Sequence, residues 1–137
     1  MDFLLALILG MTGFVWLLEG VRDRRRACFA LGWWFGFGYF AFGLYWIGNA
    51  LLVFGEKHAW MLPISAIGLP GFLALFTAVA ALVAGFAQGR IALIFATVAS
   101  FSAADWLRGH VLTGLPWNLF GHAWSGSDAL LQSASIY

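Results

Sequence analysis

The chain has 137 residues, of which 63% are hydrophobic and only 9% are charged, and its mean hydropathy is +0.90. A soluble domain carries about 25% charged residues, so a domain of this size could not bury so much apolar surface and must be surrounded by lipid. The formal net charge of +1 offers no basic face to a nucleic acid. The single cysteine excludes an internal disulfide and a cysteine-only metal cluster.

The first apolar run covers residues 3–18 and predicts a helix about 24 Å long, which is short for a hydrocarbon core of roughly 30 Å. It can still cross the membrane if Asp2 and Glu19 lie among the lipid headgroups. The strongest charge cluster of the chain follows, Arg22–Arg26, with Asp23 inside it. Because cytoplasmic loops are enriched in arginine and lysine, this cluster predicts a cytoplasmic loop.

The second apolar run, residues 27–54, contains no charge and is dense in aromatic residues and glycines. Gly32 and Gly36 have the spacing of small residues that lets two membrane helices approach closely, so we expect a tightly packed spanning helix. Trp46 and Asn49, near its far end, are less typical of such a helix. A buried amide needs a hydrogen-bond partner, and Asn49 either bonds to a neighbouring helix or lines a polar cavity.

Two further apolar runs, residues 64–87 and 91–107, complete a prediction of four spanning helices. Pro70 is expected to kink the third helix, because it removes one backbone hydrogen bond and clashes with the preceding turn. A fifth helix is predicted over residues 129–137, which is less than half of the roughly 20 residues that a span needs. We therefore expect that the chain is cut there, or that a partner completes this element.

The basic residues are distributed unevenly between the two sides of the predicted bundle. The clustered arginines and Arg90 fall on one side, and Lys57 and Arg108 fall on the other. The side with more basic residues should be cytoplasmic, so residues 109–128 should face away from the cytoplasm. The predicted fold class is all-α: a polytopic transmembrane helical bundle of about four spanning helices plus the start of a fifth, forming a partial membrane domain over residues 1–137.

Most of the polar side chains that stand out lie in one stretch, residues 105–121, which reads DWLRGHVLTGLPWNLFG. Asp105 and Arg108 are spaced to pair on one helical face, which lowers the cost of placing charges in lipid. The helix is expected to lose its regularity at Gly109. The following loop, residues 109–128, contains a Gly-Leu-Pro turn and is expected at the membrane surface, with Trp106, Trp117 and Trp124 as interfacial anchors. The alternative is a loop that only connects two helices.

No set of nucleophile, base and orienting residue can be assembled from the sequence. Cys28 is predicted on the cytoplasmic side, away from every histidine, and is interpreted as a small buried hydrophobic residue. Asp105 and His110 could act together, but no serine or cysteine is evident beside them. No cofactor motif or metal-ligand spacing is recognisable, so no catalytic residue, cofactor or metal site is predicted.

Two stretches resemble the membrane domain of the apolipoprotein N-acyltransferase family. Residues 32–51, GWWFGFGYFAFGLYWIGNAL, are similar to a glycine-aromatic helix of that family. Residues 105–124, DWLRGHVLTGLPWNLFGHAW, resemble its more specific pattern of an acid, an aromatic, Leu-Arg-Gly and Thr-Gly-Phe/Leu-Pro-Trp. The chain departs from the pattern with Asp105 for the usual Glu, Leu115 for Phe and His122 for Tyr.

The resemblance implies an acyl transfer in the bacterial inner membrane. An acyl chain passes from a phospholipid to a cysteine thioester, and then to the free amino group of the diacylglyceryl-cysteine on a lipoprotein. In the family, one more helix precedes the position of Phe3, and further helices and a periplasmic nitrilase-like domain with a Glu-Lys-Cys triad follow that of Tyr137. The triad is not in these 137 residues, and Cys28 does not match its cysteine. We expect the chain to be inactive alone, and a separately encoded nitrilase-like domain is one candidate partner.

The resemblance also assigns roles to residues. Trp117 matches a tryptophan at the mouth of the family's site, and Asp105, Arg108 and Gly109 are expected to be structural at the start of the loop. The residues expected to face lipid or substrate are Trp46, Asn49, Thr113, Pro116, Trp117 and Asn118. The alternative is a non-enzymatic membrane protein that binds lipid or lipoprotein; a small transporter is less favoured, because paired intramembrane charges and an inverted repeat are not visible.

Overall fold

The computed structural model describes residues 2–45 and 63–111, and this part of the chain is helical, with no strand. Residues 46–54 of the predicted second span, nearly all of the predicted loop and the predicted fifth helix lie outside the described residues. Residues 2–45 and 63–111 form four α-helices and one π-helical turn: α1 (Asp2–Val21), α2 (Arg25–Gly43), the π-helical turn Ile64–Gly68, α3 (Leu69–Ala84) and α4 (Arg90–His110). The prediction of an all-α fold is confirmed for these residues.

Two short turns fold the described helices back on one another. Between α1 and α2, the backbone N–H of Arg24 donates to the carbonyl of Val21 at 2.8 Å, and Arg24 is extended before α2 begins. Between α3 and α4, Gly89 has a φ of +89°, a conformation that glycine adopts without steric cost. Each turn is therefore only a few residues long, and its two flanking helix ends stay close together.

A kink is predicted at Pro70, and the structure has a π-helical turn on the N-terminal side of this residue. Across Ile64–Gly68 the hydrogen bonds widen, and the N–H of Leu69 donates to the carbonyl of Ile64, five residues earlier. Pro70 itself is buried in the first turn of α3, where its missing N–H is tolerated. The wide turn gives the proline ring room that a regular α-helical turn would not provide.

The helices α2 and α3 make the most extensive contact among the described elements. A Cβ atom on Gly32 would lie 2.5 Å from the Cβ of Ala81 and 2.6 Å from the carbonyl oxygen of Thr77, and one on Gly36 would overlap the Thr77 hydroxyl. The Thr77 hydroxyl lies 3.0 Å from the carbonyl oxygen of Gly32 and 2.9 Å from that of Ala74. The close approach predicted from Gly32 and Gly36 is confirmed, and it occurs against small residues of α3.

Aromatic packing joins α1 to α2 and α4. The ring of Phe14 lies 4.6 Å from that of Phe35 and 5.3 Å from that of Phe101, measured between centroids. These edge-on and tilted geometries are the favoured ones for aromatic pairs. Leu18 and Leu93 are fully buried in the same cluster. Ala80, Ala81 and Ala84 of α3 belong to this cluster as well, so the main core of the described part lies among all four helices.

Among the described residues, two helices are long and apolar enough to cross a membrane by length and composition, Ala66–Ala84 and Arg90–His110. The apolar part of α1, Leu5–Val21, is shorter. Large hydrophobic side chains on all four helices are exposed, including Leu9, Phe42 and Ile91. A surface of this kind is typical of a helical bundle surrounded by lipid.

Contacts between helix ends place the arginine-rich turn beside the turn before α4. A guanidinium nitrogen of Arg25 donates to the carbonyl of Gly85 at 2.8 Å, and the Arg25 guanidinium lies 3.7 Å from the ring centroid of Phe86. Arg90 approaches Glu19 at 3.5 Å. The arginine cluster and Arg90 thus lie at the same end of the helices, which we call the arginine end.

Candidate functional site

The opposite end of the bundle contains a buried ion pair. The Nη2 atom of Arg108 lies 3.0 Å from the Oδ1 atom of Asp105, and the side chains are 2% and 18% exposed. The pairing predicted from their spacing along α4 is present. A guanidinium this deeply buried is costly without a hydrogen-bonded carboxylate, so Asp105 compensates the charge that Arg108 places inside the protein.

The ion pair also contacts α2. The Arg108 guanidinium carbon lies 4.8 Å from the ring centroid of Phe40, within the range of a cation–π interaction. Tyr39 is close enough to interact electrostatically with both Asp105 and Arg108. The end of α4 is therefore held against the end of α2 by one arginine. Phe40 and Tyr39 were not singled out from the sequence, where they lie in a uniformly aromatic stretch.

His110, also near the end of α4, interacts with Trp106 and not with the ion pair. The His110 ring stacks on that of Trp106 at 4.3 Å, and its Nδ1 atom lies 2.8 Å from the Trp106 carbonyl oxygen. His110 therefore interacts with Trp106, and the structure does not pair it with Asp105.

Helix α4 continues to His110, one residue beyond the expected break at Gly109, and the N–H of Val111 still donates to the Leu107 carbonyl. A Cβ on Gly109 would meet no atom within 4 Å, so that glycine permits regular helix at its position.

Most of the residues that the sequence assigns to the site lie outside the described part of the chain: Trp46, Asn49, Thr113, Pro116, Trp117 and Asn118. The structure brings together Asp105 and Arg108, and it places Gly109 one residue after Arg108 in the last turn of α4. These three residues lie at the point from which the chain continues into residues 112–128.

Cys28, the one cysteine of the sequence, lies at the arginine end, far from this ion pair along the helices. It is fully buried, and its Sγ atom lies 3.4 Å from the carbonyl oxygen of Val21. A Cβ on Gly85 would come within 2.9 Å of the same sulfur, so α3 packs closely against it. This environment agrees with a packing role for Cys28. Over residues 2–45 and 63–111, no group of three metal-ligating side chains is present.

Comparison with known proteins identifies the family. All of residues 1–137 match the model of the apolipoprotein N-acyltransferase N-terminal domain. The chain belongs to the apolipoprotein N-acyltransferase family.

Individual relatives carry the same family name. The chain is 46% identical over 132 residues to an apolipoprotein N-acyltransferase of Rhodopseudomonas palustris, covering 89% of this chain and 24% of that protein. It is 43% identical over 144 residues to the apolipoprotein N-acyltransferase of Brucella melitensis, covering 98% of this chain and 27% of that protein. The chain therefore spans about a quarter of the length of the relatives it matches. No solved structure matches.

Proposed function

We propose that this chain is the substrate-holding membrane part of an apolipoprotein N-acyltransferase. The enzyme would transfer an acyl chain from a phospholipid to the N-terminal diacylglyceryl-cysteine of a lipoprotein. The single observation that carries the proposal is the family match over all of residues 1–137. The buried Asp105–Arg108 pair supports it, because the acid and the arginine both belong to the more specific motif of the resemblance and bind each other at the end of α4.

The reaction would proceed in two displacements. A thiolate attacks the ester carbonyl of the phospholipid, the lysophospholipid leaves with the electron pair of the broken C–O bond, and a thioester forms. The lipoprotein amine then attacks the thioester carbonyl, the thiolate leaves, and the nitrogen loses a proton to a base. Cys28 is too deeply buried to be that nucleophile. We therefore assign the thiolate to residues outside these 137 and assign this chain to holding the two substrates in place, which supplies proximity and orientation.

Within that function, Arg108 would act through position and not through contact with the reacting atoms. Its guanidinium is 2% exposed and is occupied by Asp105 and the face of Phe40. Such a group can hold α2 and α4 at a constant separation. We propose that this fixes the start of the 109–128 loop, with Gly109 in the last helical turn. Thr113, Pro116, Trp117 and Asn118 on that loop, together with Trp46 and Asn49, would then face lipid or substrate.

We further propose that the chain crosses the bacterial inner membrane four times, over residues 3–18, 27–54, 64–87 and 91–107. The arginine end would be cytoplasmic and the 109–128 loop periplasmic. The support is that the clustered arginines and Arg90 lie at one end of the described helices, since positive charge concentrates on the cytoplasmic side.

This orientation can be tested by labelling. Arg24→Cys and Val111→Cys place thiols at exposed positions of opposite ends, while the buried Cys28 gives little background. A membrane-impermeant maleimide applied to spheroplasts should modify the Val111→Cys variant, and should modify the Arg24→Cys variant only after lysis. The reverse pattern would refute the orientation.

The catalytic assignment is tested by expressing the chain with and without a separately supplied nitrilase-like domain and assaying lipoprotein N-acylation. We expect acylation only when both are present. Acylation by the chain alone would refute the assignment of the nucleophile to other residues. Binding of lipid or lipoprotein without acylation in either case would favour a non-enzymatic membrane protein and would refute the enzyme proposal.

A further inference from the structure

A groove of about 570 Å³ runs between α1 and α4 from the arginine end toward the middle of the bundle. One wall is formed by residues of α1 from one face between Met11 and Glu19, and the other by residues of α4 between Arg90 and Val98. Eight residues separate the ends of each wall, which is about 12 Å of helix. Half of a hydrocarbon core of roughly 30 Å is of similar length. The groove therefore extends from the headgroup level through most of one leaflet.

The interior of this groove offers apolar surface. Its two threonines are satisfied within their own helices, because the hydroxyl of Thr12 donates to the Ile8 carbonyl at 2.7 Å and that of Thr97 donates to the Leu93 carbonyl at 2.8 Å. The remaining lining between the helix ends is apolar and includes Val15 and Ile94. Because the threonine hydroxyls already have hydrogen-bond partners, a hydrocarbon chain can fill the groove without leaving a polar group unsatisfied.

The mouth of the groove carries one charge of each sign, on opposite walls. Glu19 on α1 and Arg90 on α4 are 3.5 Å apart, which is longer than a good hydrogen bond, and their side chains are 32% and 69% exposed. An exposed pair of this kind contributes little to stability, so both groups can turn to a ligand. Two other grooves, between α3 and α4 and between α1 and α2, are lined without a charged side chain.

We propose that this groove binds one phospholipid whose headgroup contains both a phosphate and a primary ammonium, as in phosphatidylethanolamine. The phosphate pairs with the Arg90 guanidinium, the ammonium donates to the Glu19 carboxylate, and one acyl chain fills the groove. The first turn of α4 adds partial positive charge beside the phosphate, since α4 begins at Arg90. The proposal rests on the chain being embedded in a bilayer and is independent of acyl transfer, because the groove opens at the end opposite to Asp105 and Arg108.

The two charges select the headgroup. When Arg90 turns to the phosphate of a phosphatidylglycerol, the headgroup supplies no cation to take its place beside Glu19, and the phosphate and the carboxylate repel. A phosphatidylcholine satisfies the charge of Glu19 but has no N–H to donate to it. Both lipids therefore bind more weakly than phosphatidylethanolamine at this mouth, although all three fill the apolar part equally well.

The experiment is lipid retention by the full chain, purified from nanodiscs containing equal amounts of the three lipids and measured by native mass spectrometry. Wild-type protein should retain phosphatidylethanolamine preferentially. Glu19→Gln should lower the ratio of phosphatidylethanolamine to phosphatidylglycerol by about a factor of ten, the loss expected for one charge-assisted hydrogen bond. Arg90→Gln should lower retention of all three lipids, because it removes the cation that pairs with the shared phosphate.

Arg24→Gln is the matched control, since it removes the same charge at the same end from a residue that does not line the groove. It should leave the lipid ratio and the amount retained unchanged. Equal retention of the three lipids by wild type would overturn the proposal, as would an Arg24→Gln loss as large as that of Arg90→Gln. Retention of no lipid, with the groove filled by a protein helix, would also overturn it. Both test residues are exposed or half-exposed, and helix content by circular dichroism should be unchanged in all variants.

Discussion

Replacing Gly32 with alanine should separate α2 from α3. The new Cβ would lie 2.5 Å from the Ala81 Cβ, 2.6 Å from the Thr77 carbonyl oxygen and 2.9 Å from the Ala78 Cα. Two of these three atoms are backbone, so no side-chain rotation relieves the overlap. The helices must move apart, and the 3.0 Å contact between the Thr77 hydroxyl and the Gly32 carbonyl is lengthened or lost with that movement.

The expected cost combines two effects. Overpacking of a close contact costs about 1–3 kcal/mol, and an interhelical hydrogen bond in a membrane protein contributes about 0.6 kcal/mol. Alanine also gains up to about 1 kcal/mol of helix propensity, so Gly32→Ala should lower the free energy of unfolding by about 1–3 kcal/mol. Gly38→Ala on the same helix is the control, because a Cβ there meets no atom within 4 Å; it should leave stability unchanged or raise it by up to about 1 kcal/mol through helix propensity.

The measurement is equilibrium unfolding of the purified chain in mixed micelles with increasing sodium dodecyl sulfate, followed by circular dichroism. A Thr77→Ala background gives a further check. It should relieve the overlap of Gly36→Ala, whose Cβ meets the Thr77 hydroxyl, and it should not relieve the overlap of Gly32→Ala, whose Cβ meets Ala81 and two backbone atoms. For Gly32→Ala only the contribution of the Thr77 hydrogen bond, about 0.6 kcal/mol, should disappear from the cost. If Gly32→Ala were as stable as Gly38→Ala, the contact between α2 and α3 would not hold the helices together.

Three further predictions concern other contacts. Asp105→Ala should destabilise the chain by about 3–5 kcal/mol, because it removes the carboxylate beside the buried Arg108, whereas Arg90→Ala in an exposed pair should cost at most about 1 kcal/mol; equal losses in the same unfolding assay would contradict this. Trp33→Phe should cost about 1 kcal/mol, because it removes the indole N–H donated to the Gly71 carbonyl at 3.2 Å, and an unchanged midpoint would contradict it. Trp117→Ala in the full-length enzyme should abolish lipoprotein acylation while membrane insertion stays normal, and unchanged turnover would reduce the loop to a connection.

Contacts that depend on local spacing could be predicted from the sequence. Asp105 and Arg108 are three residues apart, so helical geometry alone brings them to one face. Gly32 and Gly36 follow the same logic, because residues four apart share a face that can pack closely. The arginines at the two turns lie at one end because short turns between antiparallel helices leave few alternatives.

Contacts between distant segments could not be predicted in the same way. The stacking of Arg108 on Phe40 depends on the relative shift and rotation of α2 and α4, and nothing in an aromatic run distinguishes Phe40 from its neighbours. The partner of His110 was open for a related reason. Asp105 and Trp106 lie five and four residues before it on the same helix, and the His110 ring stacks on Trp106. The end of α4 differs from the expected break by one residue, because Gly109 allows a break without requiring one.

The π-helical turn Ile64–Gly68 affects the direction in which the chain approaches α3. One residue advances a helix by about 100° around its axis, so a turn that accommodates one extra residue reorients whatever precedes it without moving the residues that follow Pro70. Shortening this turn by a single residue would therefore swing the approaching backbone around α3 by roughly a quarter of a revolution. The small-residue face that α3 presents to Gly32 and Gly36 would keep its place, so the direction of approach and the helix packing can change separately over evolution.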